Sequence, residues 1–394
     1  MPGRGDRVRR LRDLAGIGVD RMGAAADALA ASDPSILRME NLDTDLRPPP
    51  AAIQATREAI ERDDANSYLP FAGQARLRAA AARRVGEASG VTYEPERNCL
   101  ITAGGLNGCL AALLALLDPE DEVVLTDPTY VGMINRVRLA SGVPVLVPFE
   151  WREGRWALDL RALRAAVTPK TKGLFLMSPS MPSGAALDAA EWDAVARLCR
   201  ESDLWLLYNA AMERILYDGL RPIHPAGLPG MADRTITVGS ASKEFRMIGW
   251  RVGWVVGPAE ILSDVALVAI SDVCVPVGIA QPGAAAALES PDSERDLAGA
   301  VAEWQRRRDA VVRELEGWPV RGAAGGWSLL LDAGKLGMTG AVASARLLER
   351  GRVAATPMNH WGRVHGEQYV RFVFSNEPVE RLAGLGERVR RSLT

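Results

Sequence analysis

The sequence is poor in the residues that build most metal and disulfide sites. Its 394 residues include only four cysteines and three histidines. The cysteines lie far apart in the chain, and no CxxC pair or Cys/His cluster occurs. This spacing is untypical of a disulfide framework, a zinc ribbon or an attached haem, and it favours a reducing compartment. The sequence therefore predicts a cytoplasmic protein without a metal site.

An excess of charge of one sign and long apolar runs are also missing. The chain has 47 basic and 49 acidic side chains, a formal net charge of −2, which gives no electrostatic reason to expect nucleic acid as a partner. Its longest apolar run, at 109–117, is too short to span a bilayer. No apolar segment follows the basic start of the chain, as it would in a signal peptide. We therefore expect neither nucleic acid nor a membrane as a partner.

Short aliphatic runs alternate with helical patterns through the middle of the chain. The pattern indicates buried strands at 123–125, 173–177, 205–208, 235–238 and 252–256, with helices at 106–117 and 191–200. Such alternation predicts an α/β fold in which a mostly parallel sheet is covered by helices on both faces. Sheets of this kind bind ligands beyond the carboxyl ends of their strands, so functional residues are expected there.

The two ends of the chain have a different pattern. Residues 1–60 contain amphipathic segments and a proline-rich bend, and residues 290–394 contain a long charged helix at 293–316, a Gly-rich turn, a strand and a closing helix. We interpret both ends as one smaller α+β lobe that packs beside a large domain, residues 61–289.

Lysine is rare, and one of the four lysines has a distinctive neighbourhood. Lys243 follows the strand at 235–238 and is accompanied by Ser240, Ser242 and Arg251. Hydroxyls and a guanidinium suit a phosphate dianion, and a primary amine beside them can form a Schiff base with an aldehyde. A phosphate-anchored aldehyde held by lysine is characteristic of pyridoxal 5′-phosphate. The alternative, a solvated surface lysine, is disfavoured by the position between two apolar strands.

The segment GSASKEFRMIGWRVGW around this lysine resembles the lysine segment of fold-type-I enzymes that use pyridoxal 5′-phosphate, specifically the class I and II aminotransferases. Other segments resemble the same family in the same order, namely SYLPFAGQARLR, TAGGLNGCL, DPTYVG and YVRFVFSNEP. The resemblance begins at about residue 36 and covers nearly all of the remaining chain. It implies a three-layer α/β fold with a small lobe from both termini, and an aminotransferase-like enzyme that acts on an α-amino acid.

The resemblance also implies roles for individual residues. Lys243 would hold the cofactor as a Schiff base and then move a proton as general base and acid. The cofactor phosphate would be bound by Gly104, Gly105, Leu106, Ser240, Ser242, Arg251 and Tyr68. Tyr130 would stack on the cofactor ring, and Arg371 would hold the substrate carboxylate as a bidentate pair. Because Tyr68 would reach the phosphate of the neighbouring subunit, the resemblance implies a homodimer with shared active sites.

The sequence departs from the family pattern at four positions near the expected cofactor ring. Met181 replaces an asparagine, Met212 replaces a tyrosine, and Leu42 replaces a glycine close to the substrate carboxylate, and we expect these three residues to contribute to the substrate site. Asn209 replaces the aspartate that pairs with the ring nitrogen. A carboxylate would keep that nitrogen protonated, whereas an amide can either donate to an unprotonated nitrogen or accept from a protonated one.

These departures leave more than one reaction open. The first hypothesis is an aminotransferase-like enzyme, and the second is an elimination, replacement or carbon–carbon bond-forming enzyme of specialised metabolism with the same cofactor. A third, a catalytically silent protein, is disfavoured because Lys243, Arg251 and Arg371 are all present. The stretch at 259–290 contains no arginine or lysine, so we do not expect aspartate as the preferred substrate.

Overall fold

The computed structural model describes residues 8–394 and contains two β-sheets. The strands are β1 (Leu37–Met39), β2 (Cys99–Thr102), β3 (Glu122–Asp127), β4 (Val143–Arg152), β5 (Arg155–Leu158), β6 (Thr171–Met177), β7 (Trp205–Asn209), β8 (Thr235–Ser240), β9 (Gly253–Val256), β10 (Val320–Arg321), β11 (Ser328–Asp332), β12 (Val353–Pro357) and β13 (Tyr369–Val373). The α-helices are α1 (Arg9–Arg12), α2 (Val19–Ala30), α3 (Pro50–Ile60), α4 (Ala75–Ser89), α5 (Pro95–Asn98), α6 (Gly105–Leu116), α7 (Val131–Leu139), α8 (Leu160–Ala165), α9 (Ala189–Glu201), α10 (Ala259–Asp272), α11 (Gln281–Glu289), α12 (Ser293–Glu314), α13 (Gly340–Arg346), α14 (Val379–Leu382) and α15 (Leu385–Leu393).

The larger sheet has eight strands in the order β2-β9-β8-β7-β6-β3-β4-β5. Five neighbouring strands, from β8 to β4, are parallel, while β2, β9 and β5 pair antiparallel to their neighbours. Each strand expected from the aliphatic runs lies in this sheet, and the two expected helices correspond to α6 and α9. The prediction of an α/β fold with a mostly parallel sheet is confirmed.

Successive side chains of the central strands enter opposite layers of the molecule. In β3, Val123 and Leu125 join one apolar cluster and Val124 joins another, because side chains alternate across a strand. Residues of α6, α7 and α10 complete the first cluster, and residues of α9 contribute to the second. The sheet therefore lies between two helical layers, as predicted.

The smaller sheet has five strands in the order β1-β12-β13-β11-β10 and combines both ends of the chain. In its one parallel pair, Leu37 of β1 lies opposite Val353 of β12. The long charged helix, α12, ends at Glu314, two residues before the expected end. The domain ranges 1–60, 61–289 and 290–394 remain a prediction, and residues 1–7 of the first range lie outside the described part of the chain.

The parallel strands present their carboxyl ends at one edge of the central sheet. Asp127, Met177, Asn209 and Ser240 end β3, β6, β7 and β8 at this edge. The N-terminus of α6 comes to the same edge, since β2 runs parallel to β8 through their shared neighbour β9. Over residues 8–394, no helix combines the length and apolarity needed to cross a bilayer.

Candidate active site

A cavity of about 570 Å³ opens at this edge of the sheet, between the two sheets. Twelve of the predicted site residues line it: Leu42, Gly105, Leu106, Tyr130, Met181, Asn209, Met212, Ser240, Ser242, Lys243, Arg251 and Arg371. The other two do not. Gly104 lies against the Arg251 side chain, and Tyr68 is 86% exposed to solvent. One chain therefore assembles the predicted site apart from Tyr68.

The amine of Lys243 lies in the interior of the cavity. Its Nζ donates a hydrogen bond to the carbonyl oxygen of Leu42 at 2.8 Å and lies 4.6 Å from the ring centroid of Trp327. Burial lowers the pKa of Lys243 to about 7, and the charges of Arg371 and Arg251 act in the same direction against the opposing effect of Asp43. A substantial fraction of this amine is therefore unprotonated, and hence nucleophilic, near neutral pH.

Hydrogen-bond donors converge on one end of the cavity. The Ser242 N–H donates to Ser240 Oγ at 3.1 Å, and Arg251 Nη1 donates to Ser242 Oγ at 3.3 Å. The helix α6 begins at Gly105, and the N–H groups of Gly105 and Leu106, unlike those of Asn107 and Gly108, donate to no backbone carbonyl group of residues 8–394. Hydroxyls, a guanidinium and a helix N-terminus together form a donor set that fits a phosphate dianion.

Gly104 permits this close arrangement. Its φ is +90°, a conformation that favours glycine, and an added Cβ would lie 2.3 Å from Nη2 of Arg251. Any larger residue at this position would displace the guanidinium from the donor set.

Arg371, on β13, lies at the side of the cavity opposite the phosphate-type donors. Its guanidinium is buried, with 1% of the residue exposed. Its Nη2 donates to the Glu40 carbonyl oxygen and to Thr356 Oγ1, and its Nε has no hydrogen-bond partner. Burial lowers its pKa to about 10, so the group remains cationic at neutral pH. Among residues 8–394 no carboxylate forms an ion pair with it. A buried cation in this state favours an anionic ligand.

The remaining predicted residues form the wall between these two ends. Asn209 is 6% exposed, and its Oδ1 accepts a hydrogen bond from the Ala211 N–H at 3.1 Å. Met181 and Met212 are buried apolar residues. Tyr130 directly precedes α7 and packs edge-on against Trp361, with ring centroids 5.3 Å apart.

Sequence reasoning missed two tryptophans that support the charged groups. Trp327 lies under Lys243, and Trp361 lies 4.9 Å below the Arg371 guanidinium, each in a geometry that stabilises a cation. The only local sequence signal near either residue is the Gly-rich turn before Trp327. The cavity lining also includes residues that the motifs did not indicate: Ile17, Val19, Asp20, Asn41, Met133, Met177 and Ile248.

Asp127 is a further supporting residue that lies outside the cavity lining. Its buried carboxylate accepts hydrogen bonds from the backbone N–H groups of Arg363, Val364 and His365 at 2.7, 2.7 and 3.2 Å. The carboxyl end of β3 is thereby tied to the segment that carries Trp361.

Comparison with known proteins identifies the family. Residues 37–385 match the model of the family "Aminotransferase class I and II". A "Probable N-succinyldiaminopimelate aminotransferase" from Mycobacterium tuberculosis is 35% identical, over 86% of this chain and 90% of its own. An "Arginine--pyruvate transaminase" from Pseudomonas aeruginosa is 34% identical, over 80% of this chain and 79% of its own. The structure of an aspartate aminotransferase from Thermus thermophilus, with maleate, superposes with a TM-score of 0.91 at 30% identity and covers 100% of both chains.

These matches agree with the geometry of the cavity. Class I and II aminotransferases use pyridoxal 5′-phosphate, and the cavity offers an amine of low pKa beside a donor set that suits a phosphate. The chain therefore belongs to the class I and II aminotransferase family and is a transferase that depends on pyridoxal 5′-phosphate and acts on an amino acid.

Proposed function

We propose that the cavity is the active site and that Lys243 carries the cofactor as a Schiff base. The main support is the position of one buried amine of low pKa between a phosphate-type donor set and the unpaired Arg371 guanidinium. Pyridoxal 5′-phosphate, when bound, supplies an aldehyde that captures amines and a ring that accepts electron density. The protein supplies binding, orientation and proton transfer.

Lys243 performs the proton chemistry in this proposal. Because its pKa is about 7, the Nζ atom can both accept and release a proton under neutral conditions. The Leu42 carbonyl fixes the direction of Nζ, and the Trp327 ring stabilises the protonated form. With cofactor and substrate bound, Lys243 would act as the base that takes the proton from the substrate Cα and as the acid that returns it.

In this proposal the other site residues bind the cofactor and orient the substrate. The phosphate is held by Ser240, Ser242, Arg251 and the N-terminus of α6. Gly104 has no side chain that would displace the Arg251 guanidinium. Tyr130, which lines the cavity, would stack on the cofactor ring. Arg371 binds the substrate carboxylate, since it is a buried cation with an unused Nε donor. Leu42, Met181 and Met212 form apolar walls around the reacting carbon.

Borohydride reduction of the holoenzyme tests this assignment. Reduction followed by peptide mass mapping is expected to place the pyridoxyl adduct on Lys243. An adduct on Lys170, Lys172 or Lys335, or none, would overturn the proposal. With amino acids added, conversion of the bound cofactor to its amine form in the absorption spectrum would report transamination, and Lys243→Ala should abolish it.

We further propose a homodimer in which Tyr68 completes the partner's site. Tyr68 is exposed and does not line its own cavity, and the large apolar residues Phe71 and Val277 are also exposed nearby. Their segments are in contact, since an added Cβ at Gly278 would meet the Ala65 carbonyl oxygen. Exposed apolar groups of this size favour a protein interface.

Subunit complementation tests the shared site. Lys243→Ala and Tyr68→Ala homodimers should each be impaired, while a mixed dimer would regain one complete site per dimer. Recovery of activity on mixing and a dimer mass in solution support the proposal. A fully active Tyr68→Ala variant, or a monomer with full activity, contradicts it.

We propose that the substrate side chain is apolar or cationic and not a second carboxylate. Beyond Lys243, Arg251 and Arg371, each of which already has a role, no basic residue within 8–394 lines the cavity. Asp20, its one acidic lining residue, would repel a dicarboxylate. A panel of arginine, leucine, phenylalanine and aspartate, compared by kcat/KM, tests this, and a preference for aspartate would overturn it.

An elimination, replacement or carbon–carbon bond-forming reaction is the second candidate. It is favoured by Met181, Met212 and Asn209, which supply no charge and few hydrogen bonds where the family resemblance implies polar contacts to the cofactor ring. Release of a leaving group from β-substituted amino acids would support this candidate.

We place the enzyme in the cytoplasm, since its cysteines at 99, 109, 199 and 274 are all free thiols.

A further inference from the structure

We propose that the cofactor is bound here with its pyridine nitrogen unprotonated, accepting a hydrogen bond from Nδ2 of Asn209. This inference rests on the proposed function, because it takes Lys243 and the phosphate donors as the two fixed points of the cofactor site. The amide of Asn209 could either donate a hydrogen bond to an unprotonated ring nitrogen or accept one from a protonated nitrogen. The sequence alone leaves both roles open, and the inference selects the first.

Asn209 is the one buried amide in the described lining of the cavity. The hydroxyls of Ser240 and Ser242 and the two guanidinium groups are assigned to the phosphate and the substrate carboxylate. Asp20 and Asn41 also line the cavity, but both are exposed to solvent. Asn209 ends β7, beside the strand β8 that ends at Ser240, and both residues line the same cavity. A group anchored at the phosphate end would therefore occupy the space that Asn209 lines.

The orientation of the Asn209 amide is fixed by the backbone. The Ala211 N–H donates to Oδ1 at 3.1 Å, and a backbone N–H can only donate, so this end of the amide is the oxygen. The other end, Nδ2, has no hydrogen-bond partner in the described chain, although the residue is almost completely buried. A donor therefore remains available for the cofactor ring. It matches the lone pair of an unprotonated nitrogen, whereas a protonated nitrogen would place two donors against each other.

The charges around the cavity act in the same direction. Its lining carries the cations Lys243, Arg251 and Arg371, and its one acidic residue, Asp20, is exposed to solvent, so no buried carboxylate of the described lining would pair with a pyridinium. Outside the lining, burial raises the pKa of Tyr208 on β7, and the carboxylate of Glu244, which is paired with Arg84 at 2.8 Å, acts in the same direction. Glu213 and His224 also lie near β7. Burial raises the pKa of Glu213 to about 8, and the Tyr208 hydroxyl donates to this carboxyl group at 3.2 Å. Burial also lowers the pKa of His224 to about 4. Neither group offers a full negative charge at neutral pH.

The consequence is a weaker electron sink than a protonated ring. Exchange of the substrate Cα proton should be slow, and the enzyme would depend more on Lys243 and Arg371 for its rate. A leaving group on the substrate would relieve the developing charge by departing, so such substrates should react faster than simple amino acids.

The protonation state can be observed without turnover. The holoenzyme is reconstituted with cofactor labelled with ¹⁵N in the pyridine ring, and the ¹⁵N chemical shift is measured by NMR at about neutral pH. The expected shift is that of a free pyridine nitrogen accepting a hydrogen bond. In Asn209→Asp, where a carboxylate replaces the amide, the resonance should move to the pyridinium position. The one-bond coupling between the ring ¹⁵N and its attached proton should then become detectable.

The matched control is Asn376→Asp, which makes the same chemical change outside the cavity lining and should leave the resonance unchanged. A pyridinium resonance in the wild-type enzyme would overturn the inference, even if Asn209→Asp failed to fold. That outcome would leave the proposed function standing, whereas absence of any cofactor linked to Lys243 would overturn the proposed function itself.

Discussion

Nη1 of Arg371 lies 3.7 Å from the Sδ atom of Met181. A cationic donor thus meets a thioether, one of the weakest acceptors in proteins, in the lining of the cavity. Both residues are buried, and the contact joins β13 of the smaller sheet to the loop that follows β6 of the larger one. The guanidinium is therefore held in place by neighbours that satisfy its charge poorly, which leaves it ready for a carboxylate ligand.

Arg371→Leu should weaken the binding of amino acid substrates by orders of magnitude. Removing one partner of a buried, hydrogen-bonded charge pair costs about 2–5 kcal/mol, and every ~1.4 kcal/mol is a factor of ten. The expected result is a large rise in KM with an unchanged cofactor absorption spectrum. Arg313→Leu, at an exposed position of α12, is the control. Normal kinetics in the Arg371 variant would show that the carboxylate binds elsewhere.

The reactivity of Lys243 in the cofactor-free enzyme should titrate near pH 7. Its folded-state pKa of about 7 lies below the ordinary value of 10.5, so the free amine becomes available well below the pH at which an ordinary lysine loses its proton. The rate of pyridoxal capture, followed by absorbance, should rise with a midpoint near that pH. A midpoint near the ordinary lysine value would contradict the low pKa.

The lowered pKa of Lys243 also predicts how the stability of the cofactor-free protein depends on pH. Between about pH 7 and 10.5 the unfolded chain binds a proton at Lys243 that the folded, cofactor-free chain lacks. The free energy of unfolding should therefore rise with pH across this window, since stability increases wherever the unfolded state binds more protons. Lys243→Met should remove this contribution. Urea midpoints of both proteins at several pH values measure the difference, and parallel curves would contradict the prediction.

Gly104→Ala should weaken cofactor binding. The added Cβ would lie 2.3 Å from Nη2 of Arg251, and the φ of +90° is unfavourable for alanine. Displacement of one charge-assisted donor costs about 1.5–3 kcal/mol, or roughly ten- to a hundredfold in the dissociation constant. Gly249→Ala is a matched control, because its added Cβ would meet nothing within 4 Å. Equal affinities for the two variants would exclude Arg251 from the phosphate site.

Asp127→Ala should loosen the segment that supports Arg371. The substitution leaves the backbone N–H groups of residues 363–365 without their shared acceptor, and each lost bond to a charged group costs about 1.5–3 kcal/mol. Hydrogen exchange followed by mass spectrometry should show faster exchange at 362–366, with α9 unchanged as the internal control. A thermal midpoint and exchange pattern equal to wild type would contradict this role.

The positions of the chemical groups were accessible from the sequence because they follow short strands and glycine-rich turns with strong local signals. Lys243, Ser240 and Arg251 are near one another in the chain, and Gly105 opens a helix directly after a strand. Their convergence follows from the rule that parallel strands place their carboxyl ends at one edge.

The rest of the site depends on contacts between distant parts of the chain. Trp327 reaches Lys243 across 84 positions, and Asp20 and Ile17 come to the cavity from a segment with no local motif. Which end of the Asn209 amide faces the cavity is set by one backbone N–H two residues later. No pattern of hydrophobicity or residue type encodes such a rotation.

The parallel pairing of Leu37 with Val353 constrains the order in which the two sheets can form while the chain is being synthesised. More than three hundred residues separate these two strands, so at ~5–20 residues per second the first waits about 16 to 63 s for the second to be synthesised. The larger sheet, whose strands end at Val256, can assemble during that interval. In the proposed site, Ser240, Ser242, Arg251 and Lys243 would thus be in place before Arg371 is synthesised, so that the nascent chain would bind the cofactor before the substrate site forms.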